Sequence, residues 1–85
     1  MKAKLISKDP SLSLMFRIGA IETEQVDTIN NSLKIFQKSI RDEYLAVLIL
    51  SRSVYEDIST EVDEYRKNSS KPLIVVIDGW LEGIC

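Results

Sequence analysis

Asp9, Ser51 and Ser53 are the residues whose types and positions could do chemistry. One is a carboxylate just past the first apolar run, and the others are two hydroxyls closing the third. On a parallel sheet they would gather at the carboxyl ends of the strands, the edge where open α/β sheets meet ligands. A phosphate-accepting response-regulator domain uses that edge, with clustered carboxylates to hold Mg²⁺ and an aspartate ending the third strand to accept the phosphoryl group. Here the third run ends "LILS", so the acceptor aspartate is missing and Asp9 is the carboxylate nearby. Ser51 or Ser53 as a phosphoserine at a helix start would be favoured by the helix dipole. A plain helix cap is the simpler reading of either.

Other chemistries are removed outright. The chain has no histidine, which excludes imidazole acid–base work, His-based metal sites and the Ser-His-Asp triad. "SKDPS", after the first strand, is neither a GxGxxG turn nor a phosphate-cradling loop. The single cysteine, Cys85, is the last residue, so an internal disulfide and a Cys-based metal cluster are both excluded. No cofactor, no metal and no enzymatic activity of the chain's own are expected.

Eighty-five residues make one domain with little room for a deep cavity. A net charge of -2 supplies no basic footprint for nucleic acid or an anionic membrane. No apolar run approaches the roughly 18 residues of a membrane span, and "MKAKLISKDPS" turns polar too soon for a signal peptide. The expected location is cytoplasmic.

The elements that must position these residues follow from pattern. "KAKLIS" reads as a first strand burying Leu5 and Ile6, and Asp-Pro then starts a helix. That helix offers Leu12, Leu14, Met15, Phe16 and Ile18 for burial, and Gly19 ends it. "AIETEQV" makes a short second strand anchored by Ile21 and Val26. A second helix, capped by Asp27 or Thr28, presents Ile29, Leu33, Phe36 and Ile40 inward and Asn30, Lys34, Gln37, Lys38 and Arg41 outward. Tyr44 to Leu50 suits a strand covered on both faces. The helix after it turns Val54, Ile58, Val62 and Tyr65 to one side, with Ser51 or Ser53 as cap; Ser53 and Glu56 have capping-box spacing. "KNSSK" is a loop, and "PLIVVID" a fourth strand.

The order βαβαβαβ gives an α/β fold, a small four-stranded parallel sheet with helices on both faces, flavodoxin- or receiver-like. Residues 1–79 are expected to form the single domain and 80–85 a short C-terminal tail. The acidic residues Glu56, Asp57, Glu61, Asp63 and Glu64 would suit a docking surface for a basic partner, but a solvated helix face is the simpler reading, because Glu56 and Asp57 in the first turn and Arg66 and Lys67 in the last suit any helix dipole. Trp80 and Leu81 lie beyond the last strand, where apolar residues suggest either a contact, if exposed, or a fold back onto the sheet edge.

"DEYLAVLILSRSVYEDISTEVDEYRK" followed by "PLIVVIDG" resembles the F subunit of the V-type and archaeal-type rotary ATPases. Pro72, Ile74, Val75, Ile77 and Gly79 match the family's last strand, and Ser51 falls where the family has a threonine. "SLSLMFRIGAIE" agrees at Phe16, Arg17, Ile21 and Glu22. The chain departs from the family in lacking the Gly-Asp pair at the end of the first strand, in having Asp78 where a proline is usual, and in stopping soon after the last strand, where members carry a longer C-terminal segment. The resemblance covers about residues 2 to 79. It implies a non-catalytic central-stalk subunit beside the coiled-coil D subunit and the catalytic A/B head, peripheral to the membrane and not inserted in it. The expected contact patch is Asp78, Gly79, Trp80 and Leu81, at the carboxyl ends of the strands. The competing reading is a free-standing receiver-like or phosphoserine-regulated signalling domain.

Overall fold

A computed structural model describes residues 2–19, 21–69 and 71–77. Apolar, β-rich runs form strands β1 (Lys2–Ser7), β2 (Glu22–Gln25), β3 (Leu45–Ser51) and β4 (Leu73–Ile77). Between them lie α1 (Pro10–Ile18), α2 (Ile29–Ile40), α3 (Arg52–Asp57) and α4 (Ser59–Asn68). The four strands make one parallel sheet in the order β2-β1-β3-β4. This is the α/β architecture expected from the sequence.

The strand order dictates where the helices go. Right-handed crossovers send the chain from β1 to β2 in one direction and from β2 through β3 to β4 in the other, which puts α1 on one face and α2, α3 and α4 on the opposite face. The contacts agree: α1 packs on β1 and β2, whereas α2 and α3 pack on each other and on the central strands. On the three-helix face Ile6, Leu48, Leu50 and Ile74 meet Phe36, Val54, Ile58 and Val62 in the main core. Leu5 and Leu12 are buried outside that cluster, on the α1 side.

Local hydrogen bonds fix the helix starts. Asp9 caps α1, its carboxylate accepting the Ser11 N–H at 2.9 Å, and Pro10 occupies the first helical position. Thr28, not Asp27, caps α2, accepting the Asn31 N–H at 3.1 Å; Asp27 accepts from the Asn31 side chain. Ser51 stands at the N-cap of α3 without a side-chain cap bond, its hydroxyl 3.3 Å from that of Ser53. Ser53 lies inside the helix, so the Ser53–Glu56 capping box does not form.

Several expectations need correction. The helix after β3 is two helices, interrupted at Ile58, whose N–H is shared between the Val54 and Tyr55 carbonyls. Val54, Ile58 and Val62 are nevertheless all buried, as the apolar spacing implies. Leu14, Met15 and Ile18 are exposed, because α1 has only a two-strand strip beneath it and Leu12 and Ser13 fill that contact. Ile29 is 55% exposed at the first turn of α2, and Tyr44 precedes β3 and is 76% exposed. Gly19 ends α1 without a left-handed turn, at φ -79°. β2 excludes Ile21, though Val26 is buried just beyond it, its N–H donating to the Ser7 carbonyl at 2.9 Å.

The start of β1 is held by charge. Lys2 donates to Asp42 at 2.8 Å and lies 3.5 Å from Glu22, linking β1 to the α2–β3 connection and to β2. The Lys2 hydrogen bond, followed by that from the Tyr44 N–H, holds the Asp42 carboxyl below its ordinary range, and the bond to Asp42 raises the Lys2 amine. A lowered carboxyl contributes stability at neutral pH and loses that contribution as pH falls through its folded value. A raised amine contributes below its ordinary value and loses it as pH climbs through the folded one. Asp42→Asn should therefore lower the urea midpoint at pH 7 by a small amount, and the gap from the parent protein should narrow as pH falls below the ordinary carboxyl value of 3.8.

Candidate partner-binding surface

The carboxyl ends of the strands bring Ser7, Asp9 and Ser51 together, as the parallel topology requires. Each is already engaged or enclosed. Ser7 is buried, its hydroxyl 2.8 Å from the Asp9 N–H that donates to it, and the Asp9 carboxylate is turned to its own helix. Lys8, next to them, forms an ion pair with Asp57 of α3. Ser51 is fully buried, which keeps a kinase from its hydroxyl in the folded chain, and Ser53 is half-buried. Among the described residues no group of three or more His, Cys, Asp or Glu could hold a metal ion. Among the described residues this edge joins strand ends to helix starts through these bonds.

The acidic run divides. Asp57 is taken up by Lys8, and Asp63 accepts the Tyr55 hydroxyl at 2.8 Å. That hydrogen bond, with some desolvation, raises the Tyr55 phenol above its ordinary value. Glu56, Glu61 and Glu64 are exposed. Asp78, Gly79, Trp80 and Leu81, the contact patch expected from the sequence, lie outside the described residues.

A larger unfinished surface lies on the sheet itself. Registered neighbours in a parallel sheet share a face, and faces alternate along each strand. Ala3, Val47 and Leu73 make one row and Leu5, Ile49 and Val75 the next, both on the α1 side. α1 covers the β1 end of those rows. Toward β4 the cover stops: Val47 and Ile49 are half-buried, Val75 is exposed, and Leu73 is 60% exposed.

The helix α1 adds to this surface. Arg17 reaches β2, its Nε donating to the Thr23 hydroxyl at 3.4 Å, so that flank of the helix faces the β2 edge. Met15 lies about 160° round the helix from Arg17, at 100° per residue, on the flank toward β3. Met15 is exposed on that flank. Exposed apolar patches of this kind are where protein partners commonly bind.

Sequence reading did not find this face. β3 and β4 are apolar on both sides, which is the pattern of strands with helices above and below. The missing information was strand order. Among the described residues α1 is the single helix on that face of the β2-β1-β3-β4 sheet, and β3 and β4 have no helix over them there.

Fold and surface together define a small doubly wound α/β domain that presents a half-covered apolar sheet face. Residues 5–82 match the family model described as ATP synthase (F/14-kDa) subunit, and the chain belongs to that family. Among solved structures it is similar to the F subunit of the V-type ATP synthase from Archaeoglobus fulgidus. The TM-score is 0.71 over 89% of this chain and 95% of that one, at 16% identity, a likeness of fold. No curated protein matches the sequence. Among the described residues no helix is long and apolar enough to cross a membrane.

Proposed function

We propose that this chain is the non-catalytic central-stalk subunit of a V/A-type rotary ATPase, bracing the coiled-coil shaft and helping couple ATP turnover to ion transport. Family membership supports the complex. The observation that carries the role is the half-covered sheet face of Val47, Ile49, Leu73 and Val75. A long coiled coil offers an apolar stripe to such a face, and burial of that area drives association at about 25 cal/mol per Å² before ordering costs. The rigid sheet needs little reorganisation to bind, which suits a brace.

In this reading the partner is the coiled-coil D subunit of the central stalk, with the catalytic A/B head as the wider assembly, and the chain is cytoplasmic and peripheral to the membrane. Asp78, Gly79, Trp80 and Leu81 follow directly from β4, the strand that borders the open face, and are assigned to the same contact.

Titration of the purified chain into the coiled-coil stalk protein from the same source, followed by heat and by complex mass, tests this. The expected result is a one-to-one complex of submicromolar affinity, more favourable than about -8 kcal/mol. Trp80→Ala and Leu81→Ala should weaken it. Unchanged affinity in those variants would remove residues 78–81 from the interface, and absence of binding by a folded chain would refute the stalk role.

A further inference from the structure

On the face opposite the open sheet, α2 and α4 leave a groove of about 280 Å³ between them. Its floor is apolar: Phe36 is buried, Ile40 and Tyr65 are half-buried, and the two aromatic rings meet edge to face with centroids 6.1 Å apart. The floor is also held in place. The Tyr65 hydroxyl donates to the Lys71 carbonyl at 2.5 Å, and Ser69 donates to that carbonyl at 3.1 Å. A groove fixed in this way loses little freedom when it is filled.

The charged residues of the groove's lining have one sign. Glu61 and Glu64 line it from α4, both exposed, with neutral Gln37 and Asn68 beside them and no lysine or arginine among the described residues of the lining. Neither glutamate has an ion-pair partner within 4.0 Å among the described residues. Arg66, on the same helix, is turned away to donate to the Ile74 carbonyl at 2.7 Å. The ordinary helix-dipole account covers Glu61 in the first turn of α4 but leaves Glu64, in its middle, unexplained.

We propose that this groove is a second docking site, which takes the apolar side chains of a basic amphipathic helix from a partner protein, with Glu61 and Glu64 pairing with flanking Lys or Arg. Two helices with a cleft between them accept a third by ridges into grooves, so a helix fits better than an extended strand. The volume holds one or two large side chains, which is the anchor size of helix-in-groove recognition. Apolar floor and anionic rim together select a helix with Leu or Phe at i and i+3 or i+4 and cations on either side. The site is independent of the sheet face, since the two lie on opposite sides of the sheet. The domain then bridges two partners.

The test uses two synthetic helices with the same leucine stripe, one flanked by lysine and one by glutamate, each titrated into the full ¹⁵N-labelled chain. The lysine helix is expected to bind saturably, with amide shifts concentrated at Gln37, Ile40, Glu61, Glu64 and Asn68. The glutamate helix should bind about tenfold more weakly or worse, and Glu61→Lys with Glu64→Lys should reverse that preference. Both positions are exposed, so the doubly substituted chain should fold, which its own amide spectrum checks. Absence of lysine-helix binding overturns the proposal, as do equal affinity for the two helices, unchanged preference in the variant, or shifts mapping to Val47, Ile49, Leu73 and Val75. Because stalk binding is read in a separate titration, failure here leaves the sheet-face assignment standing.

Discussion

Phe36→Ala should cost about 3–5 kcal/mol, the loss of a buried aromatic plus the cavity left behind. Phe36 is 2% exposed, sits in the main core, and meets Tyr65 edge to face, a contact that adds about 0.5–1.5 kcal/mol beyond area burial. A domain of 85 residues has roughly 4–13 kcal/mol in all, so the variant sits near the edge of folding. At about 4–8 °C per kcal/mol, thermal unfolding should move down by at least about 12 °C. Ile29→Ala, on the stripe the sequence suggests, should change stability by less than about 0.5 kcal/mol, since Ile29 is exposed and alanine favours the helix. Calorimetry of the two variants separates the real inward face of α2 from the one periodicity alone would draw. Similar losses in both would contradict the burial of Phe36 and the exposure of Ile29.

The second large effect is on binding. Leu73→Glu combined with Val75→Glu should leave the fold in place and abolish stalk association. Both side chains already face water, so the change in stability is that of a surface strand substitution, within about 1 kcal/mol. In the complex each carboxylate would be buried against an apolar stripe without a partner. Unpaired buried charge at an interface costs about 2–5 kcal/mol, roughly 30-fold to several thousand-fold in affinity. The matched control is Lys34→Glu on the outer face of α2, which should leave stalk affinity unchanged. Circular dichroism alongside the titration separates lost binding from lost fold.

The sequence made the architecture legible because every crossover announced itself. Asp-Pro opens α1, Thr28 stands before the α2 stripe, and the apolar run of β3 gives way to the wider spacing of Val54, Ile58 and Val62. What it hid is physical. Ser32 and Ser39 read as polar yet are buried, because each hydroxyl returns to the carbonyl four residues earlier, Thr28 at 3.0 Å and Ile35 at 2.8 Å. Small and self-satisfied, they let α2 lie close to its neighbours, while Ile29, at the helix's first turn, stays exposed. Lys4 is likewise buried beside Ile6 on the core face, its amine reaching Glu24 at 4.0 Å, where a long aliphatic stem covers apolar surface.

The site was harder to read for a different reason. Apolar residues on both sides of a strand report that the strand can be buried twice, not what buries it. In β1 the second cover is α1; in β3 and β4 it is absent among the described residues, and the same composition leaves the face that the stalk proposal assigns to a partner. Leu14, Met15 and Ile18 carry the same ambiguity on a helix, since an apolar residue one turn away from the contact strip faces water. Local pattern assigns the element, and strand order assigns its exposed side. Asp78 to Leu81, the patch suggested by position after the last strand, lies outside the described residues.

Methyl-labelled NMR of the chain bound to the coiled-coil stalk protein tests the central claim most directly. If the half-covered sheet face is the brace, the methyl signals of Val47, Ile49, Leu73, Val75 and Met15 shift or broaden at one equivalent, while those of Val54, Ile58 and Val62 hold their positions. Perturbation centred on Ile40 and the α2–α4 groove, with the β3 and β4 methyls unmoved, would contradict it.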